Sequence, residues 1–291
     1  MGGESELIIE GECLEVLPTF ADGSFRLIYI DPPFNSGRRQ RRKTLETTSV
    51  RAPEGARQAA GADGDRTGFG GRRYRSRLLS DLAFEDDFSD YLGFLGPRLE
   101  QAHRLLDERG TLYLHLDYRE AHYAKLLLDE IFGRDHFLNE IIWAYDFGGR
   151  SKRRWPAKHD TILVYVKDPK RYYFDSSEVD REPYMAPGLV GPEKAARGKL
   201  PTDVWWHTIV PTSGSEKTGY PTQKPEGIVR RIVSASSAPG DLCLDFFAGS
   251  GTVGAVSRKL GRHFVLIDSN PEAIAVMERR LGLRARPTNA D

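Results

Sequence analysis

The segment LIYIDPPFN (27–35) joins four residues suited to a buried strand to an acid, two prolines and an aromatic ring. Adjacent prolines lack backbone N–H groups and fix φ, so this segment can form neither a helix nor a central strand. A stiff, extended turn remains, which presents the Asp31 carboxylate and the Phe34 ring at the end of a strand. Two interpretations are open: a functional turn, and a rigid loop in which Phe34 packs inward and Asp31 caps a neighbouring helix.

A second group of residues suited to ligand binding lies in LDFFAGSGTVG (244–254). A buried strand ends at Asp245, a turn with Gly249 and Gly251 follows, and a helix begins. Glycines in such a turn let backbone N–H groups approach a ligand. Asp268 ends the next strand, seventeen residues past Gly251, where it can accept hydrogen bonds from ribose hydroxyls. The pattern predicts a nucleoside cofactor, because the lead-in DFFAG is atypical of a dinucleotide site and no GxxxxGK[ST] motif indicates a triphosphate.

The composition, 39% hydrophobic and 29% charged over 291 residues, is ordinary for a soluble enzyme. No run approaches the roughly 18 to 20 apolar residues of a membrane span, and the polar start of the chain does not resemble a signal peptide. Cys13 and Cys243 lie in apolar stretches and are expected to be reduced core residues, which indicates a cytoplasmic protein. No cluster resembles a metal site.

Positive charge is concentrated in two segments although the net charge is zero. Residues 35–80 contain twelve Arg or Lys against four Asp or Glu, a local net charge of +8. The second segment is GRSKRRWPAKH (149–159). Such segments on a neutral chain are typical of a protein that meets a polyanion on one side. The first is rich in Gly, Ala and Arg without an apolar period, so it is predicted to be a mobile loop.

Strand and helix patterns alternate along the chain, which predicts a parallel sheet covered by helices. Strands are predicted at 26–30 and 111–117. The helical pattern over 87–110 is expected to kink at Pro97 and to end at Gly110.

Together, DPPF and FAGSG resemble the motifs of the amino-methyltransferases of DNA, which use S-adenosylmethionine. The tetrapeptide precedes the cofactor loop here, an order similar to that of the β group, which is a circular permutation of other groups of the family. GECLEVLP (11–18), PTQKP (221–225) and FGGRSKRRWPAKHDTILVYVK (147–167) also resemble segments of bacterial DNA modification methylases. The resemblance covers most of the chain apart from the basic loop from Arg38 to Arg77.

The resemblance implies an α/β, Rossmann-like methyltransferase fold with a mostly parallel twisted sheet, helices on both faces and a circularly permuted motif order. Residues 1–147 would form the catalytic half, with the mobile basic loop at 35–80. Residues 148–220, where aromatics, prolines and charges interrupt the alternation, would form an inserted target-recognition region. Residues 221–291 would form the cofactor-binding half.

The resemblance also implies a mechanism for the tetrapeptide. An exocyclic amine of a base is a poor nucleophile, because its lone pair is delocalised into the ring, and it lies inside the duplex. The family flips the base into a pocket. Phe34 would stack on the base, while the Asp31 carboxylate and the carbonyl of Pro32 would accept the two amine hydrogens, with Pro33 completing the rigid turn. Direct in-line transfer needs neither a metal nor a covalent intermediate.

The cofactor S-adenosylmethionine would be bound by residues from both halves. Asp268 would hold the ribose, Thr222 and Lys224 would lie near the methionine carboxylate, and Glu12 and Cys13 would lie against the adenine. Packing and capping is the alternative for Glu12 and Cys13, and a surface position is the alternative for Lys224. The full implied set is Glu12, Cys13, Asp31, Thr222, Lys224, Asp245, Phe247, Ala248, Gly249, Ser250, Gly251, Thr252 and Asp268.

The target base is indicated by the first residue of the tetrapeptide. An Asp at this position, as in Asp31, is similar to the motif of adenine-N6 enzymes, whereas a Ser is similar to that of cytosine-N4 enzymes. Cytosine-N4 methylation stays the alternative, because either residue can accept a hydrogen bond from an amine. A carbon-5 cytosine enzyme needs a nucleophilic cysteine, usually after proline, and neither cysteine follows a proline. An inactive DNA-binding relative and an RNA-modifying enzyme are the other hypotheses.

Double-stranded DNA is the implied partner, and no membrane partner is expected. A second copy of the chain and a cognate restriction endonuclease are further partners that the resemblance allows. Contacts to phosphates would position the DNA without reading its sequence. The candidate DNA-binding residues are Arg38, Arg39, Arg41, Arg42, Arg150, Lys152, Arg153, Arg154 and Lys158.

We expect the basic loop to order on DNA and to close over the target, because it directly follows the catalytic tetrapeptide. A variant that lacks residues 45–70 should therefore bind DNA more weakly with little loss of cofactor affinity. Titrations of the two ligands check this expectation, and unchanged DNA affinity would refute it.

Overall fold

The computed structural model describes residues 5–35, 40–50, 65–67, 73–84, 88–148, 150–211 and 214–288. Over 40–50, 65–67 and 73–84 only the backbone is described. The chain divides into two compact units. One is Asn35–Phe88, and the other combines Met1–Phe34 with Ser89–Asp291.

The strands of the described residues follow the predicted alternation with helices. They are β1 (Glu6–Glu10), β2 (Phe25–Ile30), β3 (Gln40–Val50), β4 (Asp65–Thr67), β5 (Arg73–Phe84), β6 (Leu106–Leu116), β7 (Phe137–Ala144), β8 (His159–Val166), β9 (Val204–Trp206), β10 (Leu242–Asp245), β11 (His263–Asp268) and β12 (Arg286–Pro287).

The α-helices are α1 (Cys13–Val16), α2 (Tyr91–Leu105), α3 (Ala121–Phe132), α4 (Pro192–Arg197), α5 (Glu226–Ser236), α6 (Thr252–Lys259) and α7 (Pro271–Leu281). Short 3₁₀ helices span Leu17–Thr19, Arg134–His136 and Pro187–Leu189. Local signals explain the ends of α7. The Asn270 side chain accepts a hydrogen bond from the N–H of Glu272 at 2.9 Å, and Gly282 ends the helix with φ 64°.

A nine-stranded sheet forms the larger unit, in the order β12-β1-β11-β10-β2-β6-β8-β7-β9. Its paired strands are parallel except where β8 runs antiparallel to β6 and to β7. In β2 five of six residues are buried, which fits a strand covered on both faces. This is the mostly parallel α/β architecture that the sequence predicts, and the fold is Rossmann-like.

Helices cover both faces of the sheet. Leu27 and Tyr29 of β2 share a core cluster with residues of α5, α6 and α7. The alternate residues Ile28 and Ile30 are fully buried as well, and they point to the opposite face because side chains alternate along a strand. Helices α2 and α3 pack on each other and on β6 and β8, respectively.

The sheet reverses its winding at β2. From β2 the chain passes through α2 to the neighbouring strand β6, whereas β10, on the other side of β2, is followed by α6 and β11. In open α/β sheets ligands bind beyond the carboxyl ends of the strands at such a switch point. Both sequence motifs lie there, because one follows β2 and the other follows β10.

The smaller unit contains strands that the prediction of a mobile loop at 35–80 did not include. Its strands form a three-stranded antiparallel sheet in the order β3-β5-β4, with β3 and β5 paired from Gln40↔Phe84 to Val50↔Arg73. The composition of the segment does not indicate these strands, because antiparallel pairing satisfies the backbone hydrogen-bonding groups of a polar, Arg-rich strand even when its sequence has no apolar period. Residues 51–64 and 68–72 of the predicted loop lie outside the described residues.

Two further boundaries differ from the prediction. Strand β8 belongs to the main sheet, although it lies within the region 148–220 that was interpreted as an insertion. Helix α2 continues through Pro97 and ends at Leu105, where β6 begins, so that Gly110 lies inside a strand. Leu105 and Leu106, read as helical on spacing alone, are both buried at this junction.

Among the described residues, no helix is long and apolar enough to cross a membrane.

Six of the twelve Arg and Lys residues of the smaller unit lie on its two long strands. Residues 45–70 hold three Arg or Lys against four Asp or Glu, so deleting them removes no net positive charge. We therefore expect DNA affinity to fall further than in that deletion when the six basic residues of the strands are replaced by Gln. These residues are Arg41, Arg42, Lys43, Arg73, Arg75 and Arg77. DNA affinity should fall and depend less steeply on salt, by about 0.9 in the log–log slope for each lost phosphate contact.

A matched control replaces residues 51–72 by Asn-Gly, which joins the directly paired Val50 and Arg73 through a two-residue hairpin turn. Filter-binding titrations over a series of salt concentrations compare the two variants. Equal salt slopes in the charge variant and the parent chain would show that these side chains do not contact phosphates.

Candidate active site

The tetrapeptide 31–34 continues β2 beyond its last paired residue. Tyr91 of α2 holds this turn, because its hydroxyl donates a hydrogen bond to the carbonyl oxygen of Pro33 at 2.7 Å. The next residue, Asn35, has a φ of 52°, in the left-handed region that few residues other than Gly occupy. A proline-stiffened backbone, one hydrogen bond and one strained residue thus fix where the turn points.

The two carboxylate oxygens of Asp31 have different surroundings. Oδ2 lies 2.7 Å from Nζ of Lys224, in an ion pair whose side chains are 16% and 10% exposed. Oδ1 is buried and has no hydrogen-bond partner among the described residues. A buried acceptor without a donor is costly, so this oxygen is suited to a donor from a ligand. The side chain of Lys224 is only 10% exposed, which argues against the alternative of a surface position.

Phe34 lies near the same lysine and a histidine. Nζ of Lys224 is 4.7 Å from the centre of the Phe34 ring, and the ring of His115 is 5.9 Å away at an interplanar angle of 36°. Phe34 stays partly exposed. Its ring is therefore supported from within the protein and retains surface for a ligand.

The glycine turn after β10 requires its glycines. Gly249 and Gly251 have φ values of 49° and 71°. A Cβ on Gly249 would lie 3.1 Å from Cε1 of Tyr220, and one on Gly251 would lie 2.8 Å from Cγ of Met277. Larger residues would be strained by conformation and by contact. Tyr220 was not predicted as a site residue.

Asp268 ends β11 beside this turn. Its Oδ2 accepts from the N–H of Gly249 at 2.8 Å, and its Oδ1 accepts from the N–H of Asn270 at 2.9 Å. Burial raises the pKa of Asp268. Each oxygen retains a lone pair beyond these bonds, so the carboxylate can still accept from two hydroxyls of a ribose.

Asp245 is 3% exposed, and its Oδ1 accepts from the N–H of Phe247 at 3.0 Å. Burial raises the pKa of Asp245 well above its ordinary value, and the negative charges of Asp31 and Asp268 raise it further. Folding therefore favours the neutral form of this carboxyl.

The remaining predicted residues of the loop hold it in place. The hydroxyl of Thr252 donates to the carbonyl oxygen of Lys224 at 3.2 Å and lies 3.1 Å from the hydroxyl of Ser250. Ala248 is buried, and the ring of Phe247 packs against that of Phe94 at 6.0 Å. Thr222, two residues before Lys224, has a φ of 59°.

Glu12 and Cys13 are engaged by a residue that the sequence analysis did not single out. Arg98 of α2 forms an ion pair with Glu12, and its Nε donates to Sγ of Cys13 at 3.2 Å. Burial raises the pKa of the Cys13 thiol to about 12, which makes it inert as a nucleophile. These contacts agree with the packing alternative, and a contact with the adenine of a cofactor stays a prediction.

The two motifs, more than two hundred residues apart in sequence, meet in the fold. Strands β2 and β10 are neighbours, with Ile28 paired to Leu244, so the turns that follow them lie side by side. Lys224 touches both turns, because its side chain binds Asp31 and its carbonyl oxygen accepts from Thr252. A single lysine thus bridges the turn of residues 31–34, here called the acidic turn, and the glycine turn.

Residues 25–279 match the family model described as DNA methylase. The chain belongs to this family. The DNA adenine methyltransferase YhdJ of Escherichia coli (strain K12) is 31% identical to this methylase over 288 residues, which cover 96% of this chain and 84% of YhdJ.

Two solved structures share the fold of this methylase. The M1.HpyAVI–SAM complex gives a TM-score of 0.59 at 20% identity and covers 95% of this chain and 99% of that one. The cytosine-N4-specific PvuII DNA methyltransferase gives 0.62 at 12% identity, over 99% and 96% of the two chains. At such identities the likeness is one of fold alone.

A buried polar network behind Phe34 escaped the sequence analysis of this methylase. His115 is fully buried, with Nδ1 2.7 Å from the hydroxyl of Tyr29 and Nε2 3.1 Å from Oδ2 of Asp160. Oδ1 of Asp160 accepts from the hydroxyl of Tyr145 at 2.9 Å. The available signal was a histidine within the otherwise apolar strand pattern TLYLHLD.

The ionic state of this network follows from its contacts. Burial acts to raise the pKa of Asp160, but the hydrogen bond and charge of His115 and the charge of Lys224 hold it below the ordinary value. The ionised carboxylate only accepts, so Nε2 of His115 carries a proton. Nδ1 of His115 lies 2.7 Å from the hydroxyl of Tyr29 at the other end of the ring.

The predicted DNA-binding residues are in part outside what is described. Arg38 and Arg39 lie outside the described residues, and Arg41 and Arg42 are described by the β3 backbone only. Arg150, Lys152, Arg153 and Arg154 are exposed, whereas Lys158 pairs with Asp146 at 2.6 Å. Their contact with DNA stays a prediction.

The raised pKa of Asp245 predicts a dependence of stability on pH. In the unfolded chain the group ionises near 3.8. Between that pH and the folded pKa the folded state binds a proton that the unfolded state lacks, so the group makes folding less favourable as pH rises. Near neutral pH, Asp245→Asn should therefore raise the free energy of unfolding, because the variant has no carboxyl group to ionise in the unfolded chain.

Urea unfolding of the parent and of Asp245→Asn over a range of pH values measures this difference. It should vanish below pH ~4, where both states bind the proton. The exposed Asp135→Asn serves as the matched control. A gain in stability that does not change with pH would contradict the assignment.

Proposed function

We propose that this methylase transfers the methyl group of S-adenosylmethionine to the N6 amine of an adenine flipped out of double-stranded DNA. The observation that carries the proposal is that Oδ1 of Asp31 is buried, without a hydrogen-bond partner in the described part of the chain, beside a partly exposed aromatic ring. A primary amine on a flat base supplies what both groups lack, a hydrogen-bond donor and a face for stacking.

The acidic turn would position the amine in the following way. Oδ1 of Asp31 and the carbonyl oxygen of Pro32 accept its two hydrogens, while Phe34 stacks on the base. Both acceptors are held by a backbone that two prolines stiffen and Tyr91 anchors. As positive charge develops on the nitrogen, the carboxylate stabilises it without reorganising.

The residues beside the glycine turn fit the cofactor. S-adenosylmethionine supplies an activated methyl group that needs neither a metal nor a covalent enzyme intermediate. The free lone pairs of Asp268 suit its ribose hydroxyls. Gly249 and Gly251 keep side chains out of the turn, so its backbone can approach a ligand.

Adenine is favoured over cytosine as the target. Asp31 stands at the first position of the tetrapeptide, as in the adenine-N6 enzymes that the sequence resembles. YhdJ, 31% identical over nearly the whole chain, is named an adenine methyltransferase. The cytosine-N4-specific PvuII enzyme is 12% identical and supports the fold only. The intact Asp31, Gly249 and Asp268 argue against an inactive relative.

Nucleoside analysis tests the proposal. The purified chain, tritiated S-adenosylmethionine and unmethylated bacterial DNA are incubated, the DNA is digested, and the labelled nucleoside is separated. We expect label in N6-methyldeoxyadenosine. Label in N4-methyldeoxycytidine would establish cytosine as the target. Label only in a parallel reaction with RNA would show that RNA is the substrate. No label in either reaction would indicate an inactive relative of the family. A dimer, a partner endonuclease and a cytoplasmic location stay predictions.

A single substitution tests the role of the carboxylate. Asp31→Asn replaces one acceptor oxygen by a donor, so we expect kcat to fall by about 10² to 10³-fold, the loss typical of one charge-stabilising group. Affinities for DNA and cofactor should change little. Asp135→Asn, the same change at an exposed position, should retain full activity. Activity of Asp31→Asn near that of the parent chain would exclude Asp31 as the amine acceptor.

A further inference from the structure

Asp31 can offer only one of its two carboxylate oxygens to a ligand, because Lys224 binds the other. An ionised carboxylate has two equivalent oxygens and can rotate to present either. Here Oδ2 is held 2.7 Å from an ammonium, whereas Oδ1 is buried and no group of the described residues donates to it. The ion pair removes the equivalence of the two oxygens and sets the plane of the carboxylate.

Lys224 is itself fixed from several directions. Its side chain is 10% exposed, and its Nζ lies 4.7 Å from the centre of the Phe34 ring. Its carbonyl oxygen accepts from Thr252, and Pro225 follows as the N-cap of α5. The ammonium therefore has little freedom to follow a moving carboxylate, and the carboxylate is positioned against the lysine.

We infer that Lys224 is a positioning residue for the amine acceptor. By occupying Oδ2 of Asp31 it reserves Oδ1 for one hydrogen of the target amine, and its contact with Phe34 ties the stacking ring to the same point. This inference deepens the proposed function and rests on it. It differs from the role implied by the family resemblance, in which Lys224 binds the methionine carboxylate.

The chemistry of arginine separates the two roles. A guanidinium is planar and binds both oxygens of a carboxylate, whereas an ammonium is a compact point charge. Lys224→Arg keeps the positive charge that a cofactor carboxylate would need. Its fork, however, would engage Oδ1 of Asp31 together with Oδ2 and so occupy the oxygen that the amine requires.

The experiment compares Lys224→Met, Lys224→Arg and the exposed Lys170→Met as the matched control. Thermal unfolding establishes that each variant is folded, and calorimetry measures the affinity for S-adenosylhomocysteine. Single-turnover methylation of DNA gives the rate of transfer. We expect both Lys224 variants to bind S-adenosylhomocysteine as the parent does and to lose about 100-fold in rate, as for a misplaced reacting group.

A rescue experiment measures a quantity that would not change if Lys224 had a structural role only. In Lys224→Ala, ethylammonium should restore part of the transfer rate, because it supplies the N–H groups that hold Oδ2. Tetramethylammonium, which has the same charge but no N–H, should restore none.

The outcomes separate failure of this inference from failure of the proposed function. Weaker S-adenosylhomocysteine binding in Lys224→Met with full rate in Lys224→Arg would assign Lys224 to the cofactor carboxylate and overturn the inference. Parent-like rates in all variants would overturn it as well. A parent chain that methylates no DNA amine would instead refute the proposed function, and the inference with it.

Discussion

A cluster of carboxyl groups with little access to water is the constraint on which the site depends. Asp31, Asp160, Asp245 and Asp268 lie at one edge of the sheet, two of them buried and two partly buried, where ionising all four would be costly. The surroundings of these four carboxyl groups differ. Asp31 pairs with Lys224, Asp160 is bonded by an imidazole and a phenol, Asp268 accepts from backbone N–H groups, and Asp245 has its pKa raised. These different solutions give neighbouring carboxyl groups different chemical roles.

The order of the motifs along the chain does not affect this arrangement. A parallel sheet places the carboxyl ends of its strands at one edge, so residues after β2 and after β10 become neighbours when the strands do. The polar network around His115 lies on the other side of β2, where β6 and the start of β8 meet through antiparallel pairing. The edge therefore has the glycine turn on one side, the turn of residues 31–34 at its centre, and buried polar side chains near the ring of Phe34.

The sequence predicts best what depends on local chemistry. The proline-stiffened turn at Asp31 and the glycine turn at Gly249 follow from backbone restrictions, and the alternation of elements gives the sheet. What it misses depends on tertiary partners. Spacing cannot tell that Lys224 meets Asp31, that His115 is bonded on both ring nitrogens, or that helix gives way to strand at Leu106. The β3–β5 hairpin was missed for the same reason, since its polar strands are specified by pairing with each other.

Backbone strain is located where this site must be rigid. Asn35 and Thr222 have left-handed φ values although they are not glycines, and Thr222 is β-branched, which makes this conformation especially unfavourable. Such residues cost on the order of 1–3 kcal/mol each and persist only where the surroundings determine them. Asn35 directly follows Phe34, and Thr222 precedes Lys224 by two residues. The two strained residues thus lie close in sequence to the Phe34 ring and to the Lys224 ammonium, which contacts both that ring and Asp31.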